Sequence, residues 1–443
     1  MAEVTKLPID TGTTGWNSIL PEAGPPLMLE ADVNADFTVI GAGFAGMSAA
    51  MNLLKLKPDA RVVLLEANRV AEGPAGRNSG FMIDLPHDLT STDYSTTQEN
   101  DLQQITLNRH AIKFAKEIAE EFNISEEAFK ISGKVNGARG EKAVKHNIEY
   151  AEHLKQLGEP FQMLDAGEMK ALTGSNFYRS GLYTPGTAML QPALYIRSIA
   201  EALGNRIGIF ERSPVISIDK AQGKWIAKTP SGSVTAPTMI LATNGHIESF
   251  GHFKRRLVHI MLYASMTRAL TSQEDEATGV ARWGITPSDP SGTTVRKISG
   301  TGGVRIITRN RVTYSPCLQV NDAVTEKMGR THDQSFQKRY PHLGNVEQEY
   351  RWSGRLCLSR NGVSAFGEVE PGLFSACCQN GLGTARGTLS GMAATEQAVL
   401  GETDLVKTFL AQEKPKKLPP APLDSIGATA LMKWEEWKAR EEL

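Results

Sequence analysis

Six residues, Gly41-Ala42-Gly43-Phe44-Ala45-Gly46, set three glycines at a spacing that serves diphosphate binding, and Glu66 stands twenty positions after Gly46. Gly41 permits a tight turn. Gly43 lets a pyrophosphate approach the backbone, and Gly46 lets a helix pack on its sheet. The N–H groups and positive dipole end of that helix favour phosphate. Glu66, at a strand end, can accept hydrogen bonds from both ribose hydroxyls, which disfavours a 2′-phosphate. A lone glycine pattern is weak, and here the context carries it. Phe37-Thr38-Val39-Ile40 reads as a buried parallel strand. Met47 to Lys57 reads as a helix stopped at Pro58-Asp59, and Arg61 to Leu65 as a second strand. A glycine turn without a ligand is the alternative, and strand, helix and acid together weigh against it. The pattern does not separate FAD from NAD.

A second set of residues could do chemistry. His259, Met261 and Tyr263 alternate along a strand and so share one face. A mixed core face is the equally weighted alternative. Arg305, Arg309, Arg311 and Tyr314 form a basic cluster, and a solvated edge strand is its alternative reading. The four cysteines stand at 317, 357, 377 and 378. They are too few for a disulfide framework and form no CxxC pair, so no metal site is expected. Cys377 and Cys378 point to opposite faces of a strand, which suits core packing. No GxSxG or HExxH is present.

The chain that must position these groups has 443 residues, 40% hydrophobic and 22% charged, with 41 glycines. That is a globular balance, and the length suggests two or three domains. Lys+Arg 48 against Asp+Glu 49 leaves no basic field for nucleic acid. The most apolar stretch, 37–54, reads as strand-turn-helix rather than a membrane span. Met1 to Leu20 lacks an apolar core and a cleavage site, so a cytoplasmic, reducing setting is expected. Residues 1–31, with four prolines, read as an extended arm on the surface. Amphipathic helices are expected at 97–122, 140–157, 192–203 and 333–340. Strands are expected near 181–183, 207–210, 215–218, 225–227, 239–242 and 373–378, with a mostly strand-like stretch from 258 to 320. A Lys/Pro-rich linker at 412–422 leads to a charged helical tail at 425–442.

The segment after the fingerprint carries a resemblance. Glu72-Gly73-Pro74-Ala75-Gly76-Arg77-Asn78-Ser79-Gly80-Phe81 resembles the flavin loop of the D-amino-acid-oxidase-like flavoproteins, the glycine oxidase and sarcosine oxidase family. Further matches keep the family's order. Phe210 to Val215 looks like the strand whose valine, here Val215, meets adenine. Leu241-Ala242-Thr243-Asn244-Gly245 looks like the strand end near the pyrophosphate. Pro185-Gly186 with Gln191-Pro192 resembles the return to the flavin domain. Trp352-Ser353-Gly354 and Gly381-Leu382-Gly383-Thr384 resemble the C-terminal flavin segment. The irregular arm is like that of the γ-glutamylputrescine oxidoreductase branch. The resemblance covers roughly residues 14–405. It departs at Gln379-Asn380-Gly381, where the family carries a histidine, and at Leu358 to Ser364, where a familiar Thr-Pro-Asp is missing.

The resemblance implies a mixed α/β fold: a Rossmann-like FAD domain of the glutathione-reductase type, with an interleaved antiparallel-sheet substrate domain. The FAD domain is expected at 32–125, 186–255 and 352–412, and the substrate domain at 126–185 and 256–351. Residues 413–443 are left as linker and tail. FAD contacts are implied for Gly41, Gly43, Phe44, Ala45, Gly46, Glu66, Ala67, Gly76, Arg77, Asn78, Ser79, Gly80, Val215, Thr243, Asn244, Gly245, Gly381, Leu382, Gly383 and Thr384. Arg77 is given a cofactor-side role. Tyr263, His259 and Arg305 are the catalytic candidates, Arg305 as the cation for a carboxylate or for oxygen. FAD is expected to be non-covalent, with attachment through Cys357 as the minor alternative. The implied reaction is oxidation of an amine or amino acid to an imine, with oxygen or another electron acceptor and a small-molecule partner; an oligomer is allowed. A 2-hydroxy-acid or NAD-linked dehydrogenase, or a subunit with structural FAD, are the rivals.

Overall fold

The computed structural model describes residues 2–86, 97–280 and 282–443. The stretch 87–96 inside the expected 32–125 segment lies outside them.

Two sheets organise the molecule. The first is six-stranded, in the order Gly208–Phe210, Val62–Leu65, Phe37–Ile40, Thr238–Leu241, Leu373–Cys377 and Ala365–Glu370. Its first five strands are parallel and the last runs antiparallel. Strands buried on both faces read as continuous apolar runs. Accordingly Val39, Leu64 and Ile240 face one core cluster, while Ile40, Leu65 and Leu241 face another. On the first face lie two helices, Phe44–Leu56 and Gly383–Leu400. They lie close enough that a Cβ at Gly391 would land on the Ala45 carbonyl oxygen. Polar groups stitch them together: Ser48 Oγ donates to the Thr388 carbonyl at 2.8 Å, and Asn52 Nδ2 to Thr395 Oγ1 at 2.7 Å. On the second face lies a five-stranded sheet containing Ser217–Ala221, Lys224–Lys228 and Ser233–Ala236. This gives helix, parallel sheet and small sheet in three layers.

The second large sheet has eight strands, from Gln348–Ser359 through Leu257–Thr267, Arg305–Tyr314, Thr294–Ile298, Trp283–Pro287, Lys134–Ala138 and Ser180–Thr184 to Gln162–Asp165. It is antiparallel except where Trp283–Pro287 meets Lys134–Ala138. The chain visits the first sheet three times and the second between visits. Gln348–Ser359 pairs with Leu257–Thr267 from Leu257 opposite Ser359 to Thr267 opposite Gln348. Trp352, Gly354 and Cys357 therefore stand on the second sheet, and the return to the parallel sheet comes at Ala365.

Three local expectations change. The helix expected at 333–340 spans Asp322–Arg339. Asn321 caps it, its side chain accepting the Val324 N–H at 3.0 Å. Its buried residues include Thr325, Gly329, His332 and Ser335, so no apolar period announces its first half. The N-terminal arm does not merely lie on the surface. Ala2–Glu3 adds a strand to the five-stranded sheet, and Trp16 is fully buried, its Nε1 donating to the Asn78 carbonyl at 2.9 Å. The tail folds back as the helix Leu423–Lys438, and Glu442 and Leu443 are buried. Among the described residues no helix is long and apolar enough to cross a membrane.

Candidate functional site

A cavity of about 710 Å³ runs from the C-terminal ends of the parallel strands to the face of the eight-stranded sheet. At its first end the walls are backbone. Gly41, Gly43, Phe44 and Ala45 line it, as do Thr243, Asn244 and Gly245, and Gly381 to Thr384. Two helices open onto this end without side-chain caps: Phe44–Leu56 after Gly43, and Gly383–Leu400 after Leu382. Each presents orphan N–H groups and a positive dipole end.

The glycines divide by what surrounds them. A Cβ at Gly41, whose φ is +104°, would lie 2.7 Å from the Ala242 carbonyl oxygen, and one at Gly46 would land on the Gly41 carbonyl. Those two are required by the turn and the helix contact. At Gly43 a Cβ would meet only Ala75 Cβ at 3.6 Å, and at Gly383 nothing within 4 Å. Protein packing does not demand glycine at these two positions, and both line the cavity. Gly46, Gly76 and Gly80 are not part of the wall. Gly76 makes room for the Ala71 carbonyl and Gly80 for Arg296 and the Leu190 carbonyl.

Glu66, Ala67 and Val215 also line this end. The Glu66 carboxylate accepts N–H bonds from Ala42 at 2.8 Å and Asn68 at 3.0 Å. Enclosure by protein lifts its pKa, against the pull of those two bonds. Asn78 and Ser79 line the wall, and Asn78 folds back to accept the Gly80 N–H at 2.8 Å. Arg77 borders the cavity, but its guanidinium is committed elsewhere. It donates to the Glu72, Thr11, Gly12 and Ser353 carbonyls and lies 3.6 Å from Asp10. Asp10 also holds Arg355 at 2.7 Å, and its side chain is only 6% exposed. Arg77 thus ties the arm to the eight-stranded sheet instead of offering a free charge to a phosphate.

The second end is built from side chains. His259 and Tyr263 both line it, as their shared strand face requires. His259 Nε2 pairs with Glu248 Oε2 at 2.5 Å, while its Nδ1 packs against Gly245. Tyr263 bonds Thr313 Oγ1 at 2.6 Å, and burial pushes its phenol pKa up. Cys357 borders the cavity and donates to Asn244 Oδ1 at 3.0 Å. Its contact with the Cys378 thiol, then burial, push its pKa well up, so it is held as a thiol. Arg309 and Arg311 reach the cavity, and Arg305 does not. Arg305 bonds Glu349 at 2.5 Å and the Thr267 and Gly302 carbonyls. A strand rises about 3.3 Å per residue. Sharing a face with Arg309 therefore still leaves Arg305, at the strand's start, beyond the cavity.

The sequence reading passed over several residues. His246 lines the cavity, and burial depresses its pKa to about 3. Asn380 adopts φ +50° and accepts the Ser359 N–H at 2.8 Å, fixing the turn where a family histidine is missing. Arg296 donates to the Ser79 and Leu190 carbonyls between the Trp16 and Phe81 rings. Among the described residues it forms no ion pair, and burial lowers its pKa to about 9. Leu7 and Pro8 of the arm and Met432 of the tail complete the wall. Three residues of the wall each carry a buried polar atom without a protein partner: His246 Nε2, His259 Nδ1 and Gln379 Oε1. Uncapped helix ends, glycines open to the cavity and the Glu66 carboxylate together fit an FAD. Among the described residues no His/Cys/Asp/Glu cluster could hold a metal.

The family model described as "FAD dependent oxidoreductase" (DAO) matches residues 36–397. A probable oxidoreductase, OrdL, of Haemophilus influenzae is 27% identical over 388 residues, 85% of each chain. The γ-glutamylputrescine oxidoreductase of Escherichia coli is 22% identical, over 83% of this chain and 84% of that one. Among solved structures, glycine oxidase from Geobacillus kaustophilus superposes with a TM-score of 0.69 at 17% identity, covering 88% of this chain and 100% of that one. L-proline dehydrogenase from P. horikoshii gives 0.67 at 18% identity, over 85% and 97%.

Proposed function

The chain belongs to the DAO family of FAD-dependent oxidoreductases, and from that premise we propose that it oxidises a primary or secondary amine, or an amino acid, to an imine. The imine then hydrolyses in water to a carbonyl and an amine. One observation carries the reading: two helix ends without side-chain caps open onto a single cavity that Glu66 also lines.

Bound there, FAD supplies a hydride acceptor for the carbon beside nitrogen. The chain's own groups do the rest. The N–H groups of the first helix hold the diphosphate, with Gly43 giving it room. Glu66 takes the ribose hydroxyls. The N–H groups opening at Gly383 stabilise negative charge at the far end of the cofactor. Tyr263 and His259 shape the face opposite, with Glu248 fixing the histidine ring. Arg309 and Arg311 give that face a basic strand that suits a substrate carboxylate, the part first assigned to Arg305. Cys357, kept a thiol by its contact with Cys378 and by burial, suits a non-covalent cofactor.

The test is an anaerobic titration of the flavin with a panel of amines, amino acids and 2-hydroxy acids. The panel includes γ-glutamylputrescine and glycine, the compounds named by two relatives. Bleaching by amines and not by hydroxy acids is expected, then recovery on admitting oxygen or another acceptor. Bleaching by hydroxy acids alone, or by nothing, overturns the reading. After denaturation and filtration, all the yellow colour should pass into the filtrate.

A further inference from the structure

The helix Leu423–Lys438 inverts the usual arrangement. Its sheltered stripe runs through Ser425, Ala428, Met432, Glu435, Glu436 and Ala439, at helical spacing. Its outer face carries Leu423 and Ile426, with Trp434 and Trp437 stacked on each other and 55% and 54% exposed. A helix packed on a core turns apolar residues inward and charge outward. Inward carboxylates are favoured only where the surface beneath is polar or basic. That surface is the strand carrying Arg309 and Arg311. Glu436 Oε2 lies 3.4 Å from Arg311 Nη1, and its Oε1 takes the Val312 N–H at 3.5 Å.

The helix is also held in place from beyond its end. Glu442 is 3% exposed. Its carboxylate accepts the Arg139 and Gly140 N–H groups at 2.8 and 3.0 Å, where the helix Glu141–Gln156 begins. Arg339 donates to the Glu442 carbonyl at 2.9 Å, and Lys338 to that of Leu443 at 3.0 Å. So fixed, the helix contributes Met432, Glu435 and Glu436 to the same cavity that Tyr263 lines.

We infer that this C-terminal helix is the outer wall of the cavity's substrate end, and that Met432 and Glu436 determine which amine fits. The inference rests on the reading that the cavity holds a flavin and an amine. Met432 sets the reach available beyond the reacting carbon. The Glu436–Arg311 pair is loose at 3.4 Å. A polar distal end can exchange into it, a carboxylate onto Arg311 or an ammonium onto Glu436. The favoured class is an elongated amine with a charged far end.

Two readouts on the full-length, FAD-loaded protein separate this inference from the functional reading. Glu442→Lys places a cation against a helix N-terminus and should release the tail. Iodide quenching of the bound flavin's fluorescence should then rise several-fold, with FAD still bound. Met432→Trp should raise the KM for γ-glutamylputrescine relative to glycine by about tenfold, a difference typical of pocket steric discrimination. Glu436→Gln should shift the same ratio in the same direction. Quenching that does not change on tail release overturns the wall, and an unmoved KM ratio overturns the specificity role. Where other amines of the panel bleach the flavin instead, the KM ratio is read between the longest and the shortest of them; if no amine bleaches it, the functional reading falls and the iodide measurement alone decides the wall.

Discussion

The two ends of the cavity are made of different material. At the proposed cofactor end, main-chain groups at strand–helix junctions make the wall, with glycines among them. At the substrate end, side chains from three strands and the C-terminal helix converge, and no short segment holds more than a few of them. Backbone sites must repeat a turn geometry and so leave a spacing in the sequence. Side-chain sites need only the right residue at a place that tertiary structure supplies. The first kind tolerates little change, whereas the second can be remodelled one side chain at a time.

The sharpest way to break this contrast is at its own glycines. Gly46→Val drives a side chain into the Gly41 carbonyl. It should cost about 5 kcal/mol or more, since no rotamer relieves a backbone clash. Urea denaturation, or the absence of soluble protein, reads that loss. Asp10→Asn comes next. It leaves Arg77 and Arg355 without their shared carboxylate in a buried place. Removing one partner of a buried ion pair costs about 3 to 5 kcal/mol, seen as a lower denaturation midpoint. A small loss would mean the arm is expendable.

Acid probes both ends together. Burial holds His246, beside the cofactor end, and His332, behind the substrate sheet, at a pKa of about 3. An unfolded histidine titrates near its ordinary value, so below it the unfolded state takes up protons that the fold refuses. The stabilisation is complete above about pH 6.5 and is lost as pH falls toward 3, at about 1.4 kcal/mol per pH unit for each histidine. Denaturation midpoints between pH 7 and 4 test it, and His332→Gln should make the decline shallower.

Gly43→Ala separates binding from folding. The space is open to 3.6 Å, so stability should move by less than about 1 kcal/mol while FAD affinity falls about tenfold. Fluorescence titration with FAD distinguishes the two. The smallest effect is expected at Tyr263→Phe, which removes one hydrogen bond to Thr313. It should cost about 1 kcal/mol of stability and leave FAD affinity unmoved.

Much of the cofactor end was legible. The βαβ unit, Glu66 and the junctions at Thr243 and Gly381 each join a strand's apolar run to a turn, and both signals are local. Arg77 shows the limit. Its motif placed it beside the flavin loop, but its charge is consumed by Asp10, 67 positions earlier. Arg305 shows another limit: alternation assigns a face and says nothing of where along the strand the cavity ends. The C-terminal helix was expected as a charged tail, but its docking against the cavity stayed hidden because its inward stripe is polar. Patterns of apolar residues point toward cores, and this helix faces a site.

The parallel sheet has one more consequence, for the order of assembly. Thr238–Leu241 sits between Phe37–Ile40 and Leu373–Cys377, strands from opposite ends of the chain. During synthesis the nucleotide fold therefore waits, with one edge of Thr238–Leu241 bare, until residues near 377 emerge. Pairings of such long sequence separation form slowly and leave edges open to aggregation meanwhile. A ribosome-stalled fragment ending before Leu373 would lack both that strand and the helix at Gly383, and with them half of the proposed diphosphate cradle. The proposed flavin site is complete only once the segment around Gly383 has emerged, which would make its cofactor the clasp of folding rather than its seed.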